Sequence, residues 1–227
     1  MFYYDSSFII LIPALLFSFY AQTKIQTTFN KYFKRRAFCG MSGAQVARKI
    51  LDNNGLYNVQ IELVRGKLSD HYDPAKRVLR LSEEVYYSDS LASIGIAAHE
   101  VGHAIQHQKS YAPLILRNSF VPVANIGSNL SWIFIIIGFA IRSLQLINFG
   151  ILLFSAAVIF QIITLPVEFN ASARALNQLE ESSILNSQEI DGAKKVLNAA
   201  ALTYVAATLV AISQLLRLIL ITRDSRD

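Results

Sequence analysis

The chain has 227 residues, of which 53% are apolar and only 16% charged, and it carries a net charge of +5. An ordinary soluble domain has about 25% charged residues, so this composition excludes a fully water-exposed globule and points to a protein partly dissolved in lipid. Of the 21 Lys and Arg, 14 lie between Lys24 and Arg117, outside the longest apolar runs. That bias suits membrane orientation better than a nucleic-acid surface, and no nucleic-acid-binding motif accompanies it. Cys39 is the only cysteine, so an intrachain disulfide is excluded, as suits a domain on the reducing side of a membrane. Cys39 itself reads as a small, half-buried residue.

In chain order, Phe8 to Ala21 is an apolar run extended by Met1 to Tyr4, with Lys24, Lys31, Lys34, Arg35 and Arg36 after it and no basic residue before it. A secretory leader has the opposite charge order, so the run predicts an uncleaved anchor bent by Pro13, with an interfacial helix as the rival. Ser42 predicts a helix starting near Gly43 and stopped by Gly55, with Val46, Ala47, Ile50 and Leu51 on its apolar face. Val59, Ile61 and Leu63 alternate as a half-buried strand does. Asp73 to Lys76 reads as a turn, and Val78, Leu79 and Leu81 as the next strand of a two- or three-stranded sheet. Ser90 predicts the start of a helix running to about Gln108. Three further spans are expected at Val121 to Ile141, Phe149 to Val167 and Val196 to Ile221, the last with Arg217 snorkelling near its end.

The helix after Ser90 carries His99-Glu100-Val101-Gly102-His103. Residues four apart share a helix face, so the two imidazoles can meet at one metal ion with Glu100 beside them. This is the pattern of zinc peptidases in which the Glu acts as general base. A catalytic zinc takes a third protein ligand. His107 continues the spacing, but it lies about 12 Å along the axis from His99. One ion with bonds of about 2 Å cannot hold both. His107 is therefore read as a helix-end residue or one that supports the ligands. After Glu100 the next acidic residue is Glu168, at the end of the third span and on the side of the membrane expected for the His pair. A carboxylate there is costly unless paired or metal-bound. The rival reading is an interfacial Glu that snorkels. Gln161, Thr164, Glu168 and Ser172 share one helical face.

Long blocks of the chain resemble a known family. They include Gly43-Ala44, Asp70-His71-Tyr72-Asp73-Pro74, Ala97-Ala98-His99-Glu100, Gly102 to His107, Tyr111 to Leu114, Leu165 to Ser172 and Val196 to Ala201. The chain is similar to the YugP-like neutral zinc metallopeptidases, multi-pass membrane proteins of bacteria. The resemblance implies one Zn2+ per chain, His99 and His103 as ligands and Glu100 as base. By similarity to membrane peptidases of the HtpX and CAAX-prenyl type it also implies Glu168 as third ligand. Those relatives carry an Asp one turn after the ligand Glu, where this chain has Ser172, so the support of the zinc-bound imidazole must differ.

The expectation is a mainly α membrane protein of about four transmembrane helices plus a small α+β cytoplasmic zincin-like domain carrying the motif. Its parts are an anchor at 1–21, the cytoplasmic domain at 22–119, a transmembrane hairpin at 120–167, a cytoplasmic segment with the third ligand at 168–195, and a last helix with tail at 196–227. The Gln22 to Ser119 stretch holds 14 Lys or Arg and the Glu168 to Lys195 segment three, against one in the short loop from Arg142 to Asn148 and three at the C-terminal end. With both termini outside, that count obeys the positive-inside rule. The expected activity is hydrolysis of peptides or membrane proteins at the cytoplasmic face of a bacterial membrane. His71, Tyr72 and Arg174 are candidates for the oxyanion, and His71, His107, Ser172 and Arg174 for supporting roles around the metal. Two alternatives remain open at this point, a zinc-containing scaffold without proteolysis and an intramembrane protease.

Overall fold

In a computed structural model, residues 6–224 are described, so the Met1 to Tyr4 extension of the anchor and the end of the C-terminal tail lie outside them. The described chain is mostly helical. A 3-10 turn at Ser6–Ile10 leads into α1 (Leu11–Phe33), followed by α2 (Gly43–Asn53), β1 (Gln60–Val64), β2 (His71–Asp73), β3 (Val78–Ser82), α3 (Glu83–Tyr87) and α4 (Leu91–Gln108). Three long helices complete it: α5 (Ala112–Ala140), α6 (Leu144–Glu181) and α7 (Ser187–Asp224). Four helices, Ser7–Phe33, Ala112–Ala140, Leu144–Glu181 and Ser187–Arg223, are long and apolar enough to cross a membrane, and α4 is not among them.

The chain divides into two compact units, one of residues 1–22, 115–166 and 202–227 and the other of residues 23–114 and 167–201. The first consists of apolar helical segments. Small residues let α5 and α6 approach backbone to backbone: a side chain at Gly127 would meet Leu153 O at 2.9 Å, and one at Gly150 would meet Ser131 O at 2.8 Å. Trp132 against Phe154 and Phe134 against Phe149 add edge-to-face ring contacts between the same two helices. Leu16, Ile126, Ile136 and Leu152 are exposed, an apolar exterior suited to lipid. The Arg217 guanidinium lies 5.3 Å from the Phe8 ring centroid.

The second unit holds the sheet and the short helices. Ser42 caps α2 in a reciprocal box, its Oγ accepting from Gln45 N while Gln45 Oε1 accepts from Ser42 N. The helix ends where Gly55 takes φ +71°. Leu56 N there donates to Leu51 O and Gly55 N to Asp52 O, a left-handed cap that disfavours any residue with a Cβ. The sheet order is β1-β3-β2, with β1 parallel and β2 antiparallel to β3. Central β3 is the buried strand. Leu79 and Leu81 are fully covered and pack with Ile50, Leu51, Val85, Ile94 and Val101, each such side chain contributing about 1.5–3 kcal/mol of burial. The alternation expected of β1 holds only in part. Val59 is buried just ahead of it, but Leu63 is 49% exposed because β1 is an edge.

The long helices outrun their apolar stretches for local reasons. Helix α6 continues past Val167 because Val167, Ala171, Ala175 and Leu179 recur every four residues and are all buried. Asn186 and Glu189 start α7 well before Val196, Asn186 Oδ1 accepting from Gln188 N and Glu189 N. Pro13 sits in the first turn of α1, where its missing N–H has no intrahelical bond to lose. Ser143 Oγ accepts from Leu146 N, so α6 begins ahead of Phe149 and the α5–α6 loop shrinks to residues 141–143.

Candidate metal centre

Helix α4 carries both histidines and α6 carries Glu168, and all three lie in the second unit. Gly102 sets the spacing between the helices at this point. A Cβ there would fall 2.5 Å from Ala171 O and 3.1 Å from Ala171 C, so the backbones of α4 and α6 meet with no side chain between them. Glu168 lies nearly one turn before Ala171 and is brought onto the histidine face. Its Oε2 is 3.2 Å from His99 Nε2 and 3.6 Å from His103 Nε2. One ligand atom from each of the three residues falls within 4.8 Å of the other two. The imidazole planes are nearly perpendicular, with centroids 4.9 Å apart.

This donor set fits zinc. Two imidazole nitrogens and a carboxylate oxygen are its usual ligands at a catalytic site, and tetrahedral bonds of about 2.1 Å place ligand atoms roughly 3.4 Å apart. The two contacts of Glu168 straddle that value. A buried carboxylate between two imidazoles is also costly without a cation to offset it.

Both histidines use the ring nitrogen remote from Glu168 for an outer contact. His99 Nδ1 lies 3.1 Å from Ser172 Oγ, one turn after Glu168. His103 Nδ1 lies 3.0 Å from Gln106 Oε1. Gln106 is 0% exposed, and its Nε2 donates to Val167 O (2.8 Å) and to Asn170 Oδ1 (3.0 Å). Arg174 Nε donates to the same Asn170 oxygen at 2.7 Å, and its guanidinium lies 5.8 Å from the Tyr111 ring centroid. Sequence reasoning overlooked Gln106 and Asn170. The available signal was an amide three residues after the second histidine of the motif, on the buried face of its helix.

Glu100 is 9% exposed. Burial pushes its carboxyl up to about 7, and the charges of Glu168 and Asp70 act in the same direction while His99 pulls it down. Asp70 is fixed nearby in sequence to β2, accepting from Ser82 N at 2.7 Å and from Ser82 Oγ. The remaining candidates lie outside the cluster. His107 pairs with Tyr72, Nδ1 to Oη at 2.9 Å. His71 is exposed on β2, its Nδ1 2.8 Å from Ser69 O and its Nε2 3.3 Å from Arg80 Nη1. Of the polar stripe on α6, only Glu168 and Ser172 fall within the unit that holds the histidines. Thr164 donates to Phe160 O of its own helix.

A family model described as "Putative neutral zinc metallopeptidase" matches residues 7–223. The chain is also 53% identical over 216 residues to "Putative membrane protease YugP" of Bacillus subtilis (strain 168), an alignment covering 95% of this chain and 96% of that relative. No solved structure matches. Matches of this extent leave nothing but the two chain ends uncovered, and on them the chain belongs to the neutral zinc metallopeptidase family.

Proposed function

We propose that the chain is a membrane-bound zinc endopeptidase in which His99, His103 and Glu168 hold one zinc ion and Glu100 is the general base. The observation that carries this reading is the convergence of the three ligand atoms, since His99 and Glu168 are 69 residues apart in sequence. A bound zinc supplies a Lewis acid that polarises a carbonyl and acidifies water. The chain's own residues do the rest. Glu100 takes the proton of the attacking water on a carboxylate oxygen and returns it to the leaving amine nitrogen. The charges of His99 and Glu168 act on that carboxylate, and its cover excludes bulk water. Ser172 and Gln106 hold the imidazoles with Nε2 inward. The unit of residues 23–114 and 167–201 is the catalytic body and faces the cytoplasm, a topology supported by its concentration of Lys and Arg. The substrates are peptides or membrane proteins reaching that face.

Full-length protein in detergent tests this reading through its zinc content and its cleavage of an unstructured peptide. One zinc per chain is expected. Glu100→Gln should retain the zinc and lose about 10²–10⁴-fold in cleavage rate. Unchanged cleavage in Glu100→Gln would refute the base, and zinc without cleavage in the unaltered chain would favour a scaffold.

A further inference from the structure

We infer that Gln106, held in place by Asn170 and Arg174, is a positioning residue that fixes the Nδ1–H tautomer of His103 and so turns its Nε2 lone pair to the metal. The inference rests on the zinc-site reading above and deepens it. The two ends of an amide side chain are told apart only by their hydrogen-bond partners, and here the partners permit one assignment. A guanidinium has donors and no acceptor. The Asn170 atom 2.7 Å from Arg174 Nε is therefore the oxygen. That oxygen also lies 3.0 Å from Gln106, so the Gln106 atom facing it is the nitrogen. The carbonyl of Val167, 2.8 Å from the same Gln106 atom and unable to donate, gives the same answer independently. The other end of Gln106 is then an acceptor, 3.0 Å from His103 Nδ1, which must carry the proton. A neutral imidazole protonated at Nδ1 has its lone pair on Nε2, the nitrogen that faces Glu168.

No member of the chain can be reversed cheaply. Gln106 is fully buried, and turning its amide over would set its oxygen against two acceptors, Val167 O and Asn170 Oδ1. His99 is held differently. Its Nδ1 meets a hydroxyl, which can donate or accept, so Ser172 accommodates either tautomer.

The test is zinc affinity, measured against a competing chelator on full-length protein in detergent, with the melting temperature of the metal-stripped form as a folding control. Gln106→Met should weaken zinc by about 10–100-fold. Asn170→Leu should weaken it at least several-fold. Asn170→Asp should stay within a factor of about three, because a carboxylate still offers an acceptor to both Gln106 and Arg174. Should Gln106→Met not fold, the contrast between Asn170→Asp and Asn170→Leu carries the test. A role in packing alone predicts the same loss for both Asn170 variants, and that result overturns the inference, as does unchanged affinity in Gln106→Met. His103→Ala separates the two levels. Zinc lost in His103→Ala but untouched in Gln106→Met refutes the relay alone, whereas zinc indifferent to His103→Ala, or absent from the unaltered chain, refutes the metal site and the relay with it.

Discussion

The two histidines of α4 sit one helical turn apart in unlike surroundings. On the His103 flank a fully buried amide, a second amide and a guanidinium form a chain whose every polarity is dictated by its neighbour. On the His99 flank a single hydroxyl at 3.1 Å does the orienting. Two histidines on one helix face, both with Nε2 toward Glu168, are thus held by rules of different strictness. The strict flank stands on α4 and α6 together, and the permissive one on a residue that can rotate its proton.

Glu168→Gln should have the largest effect, because Oε2 faces both imidazoles. Zinc affinity should fall by about 100-fold or more, beyond the usual cost of losing an outer partner, and equilibrium dialysis would read it, with His107→Ala as the unaffected control. Gly102→Ala acts next most strongly. A Cβ at 2.5 Å from a backbone oxygen has no flexible side chain to displace, so about 1–3 kcal/mol of stability should go and zinc should weaken with it. Gly95→Ala, with ordinary contact to Ala193 Cβ at 3.5 Å, should be neutral or stabilising by up to about 1 kcal/mol in the same thermal melt. Ser172→Ala should cost only a few-fold in zinc affinity, less than Gln106→Met, while Ser172→Asp should tighten binding by making the His99 contact charge-assisted. A Ser172→Ala loss equal to that of Gln106→Met would erase the distinction between the flanks.

The smallest effect lies away from both. The backbone N–H of Lys76, then the Arg80 guanidinium, hold the Asp73 carboxyl below its ordinary value. A depressed carboxyl adds stability above its unfolded value near 3.8 and loses it as pH falls through the folded one. Asp73→Asn should therefore lower stability slightly at neutral pH and so flatten the acid limb of a pH–stability curve, with no difference from the unaltered chain once pH is below the folded value.

Much of this was legible in the sequence because it is local. The helix starts at Ser42 and Ser90, the stop at Gly55 and the turn at Asp73 each depend on residues within four positions, and the structure has all of them. Glu168 was reachable for a different reason, since no other acidic residue lies between Glu100 and the helices that follow. The Gln106–Asn170–Arg174 chain was not legible. It joins residues 61 and 64 positions apart through amides whose frequency and spacing carry no signal of their own. The parallel pairing of β1 with β3, skipping β2, was equally hidden, because alternation at Val59, Ile61 and Leu63 marks a strand but neither its partner nor its direction. Hydropathy likewise cut α6 at Val167, where small buried residues rather than large apolar ones carry the helix on.

The contact between Gly102 and Ala171 also governs how far the five-residue motif could be transplanted. Packed helices usually keep their axes 8–10 Å apart, a distance set by the side chains between them. A recipient scaffold given His99, Glu100, His103 and Glu168 but a larger residue at position 102 would hold its helices further apart. The 3.2 and 3.6 Å approaches of the carboxylate would then open beyond the span of one ion. The portable unit is therefore five residues on two helices, with the glycine as necessary to a graft as the two histidines and the carboxylate.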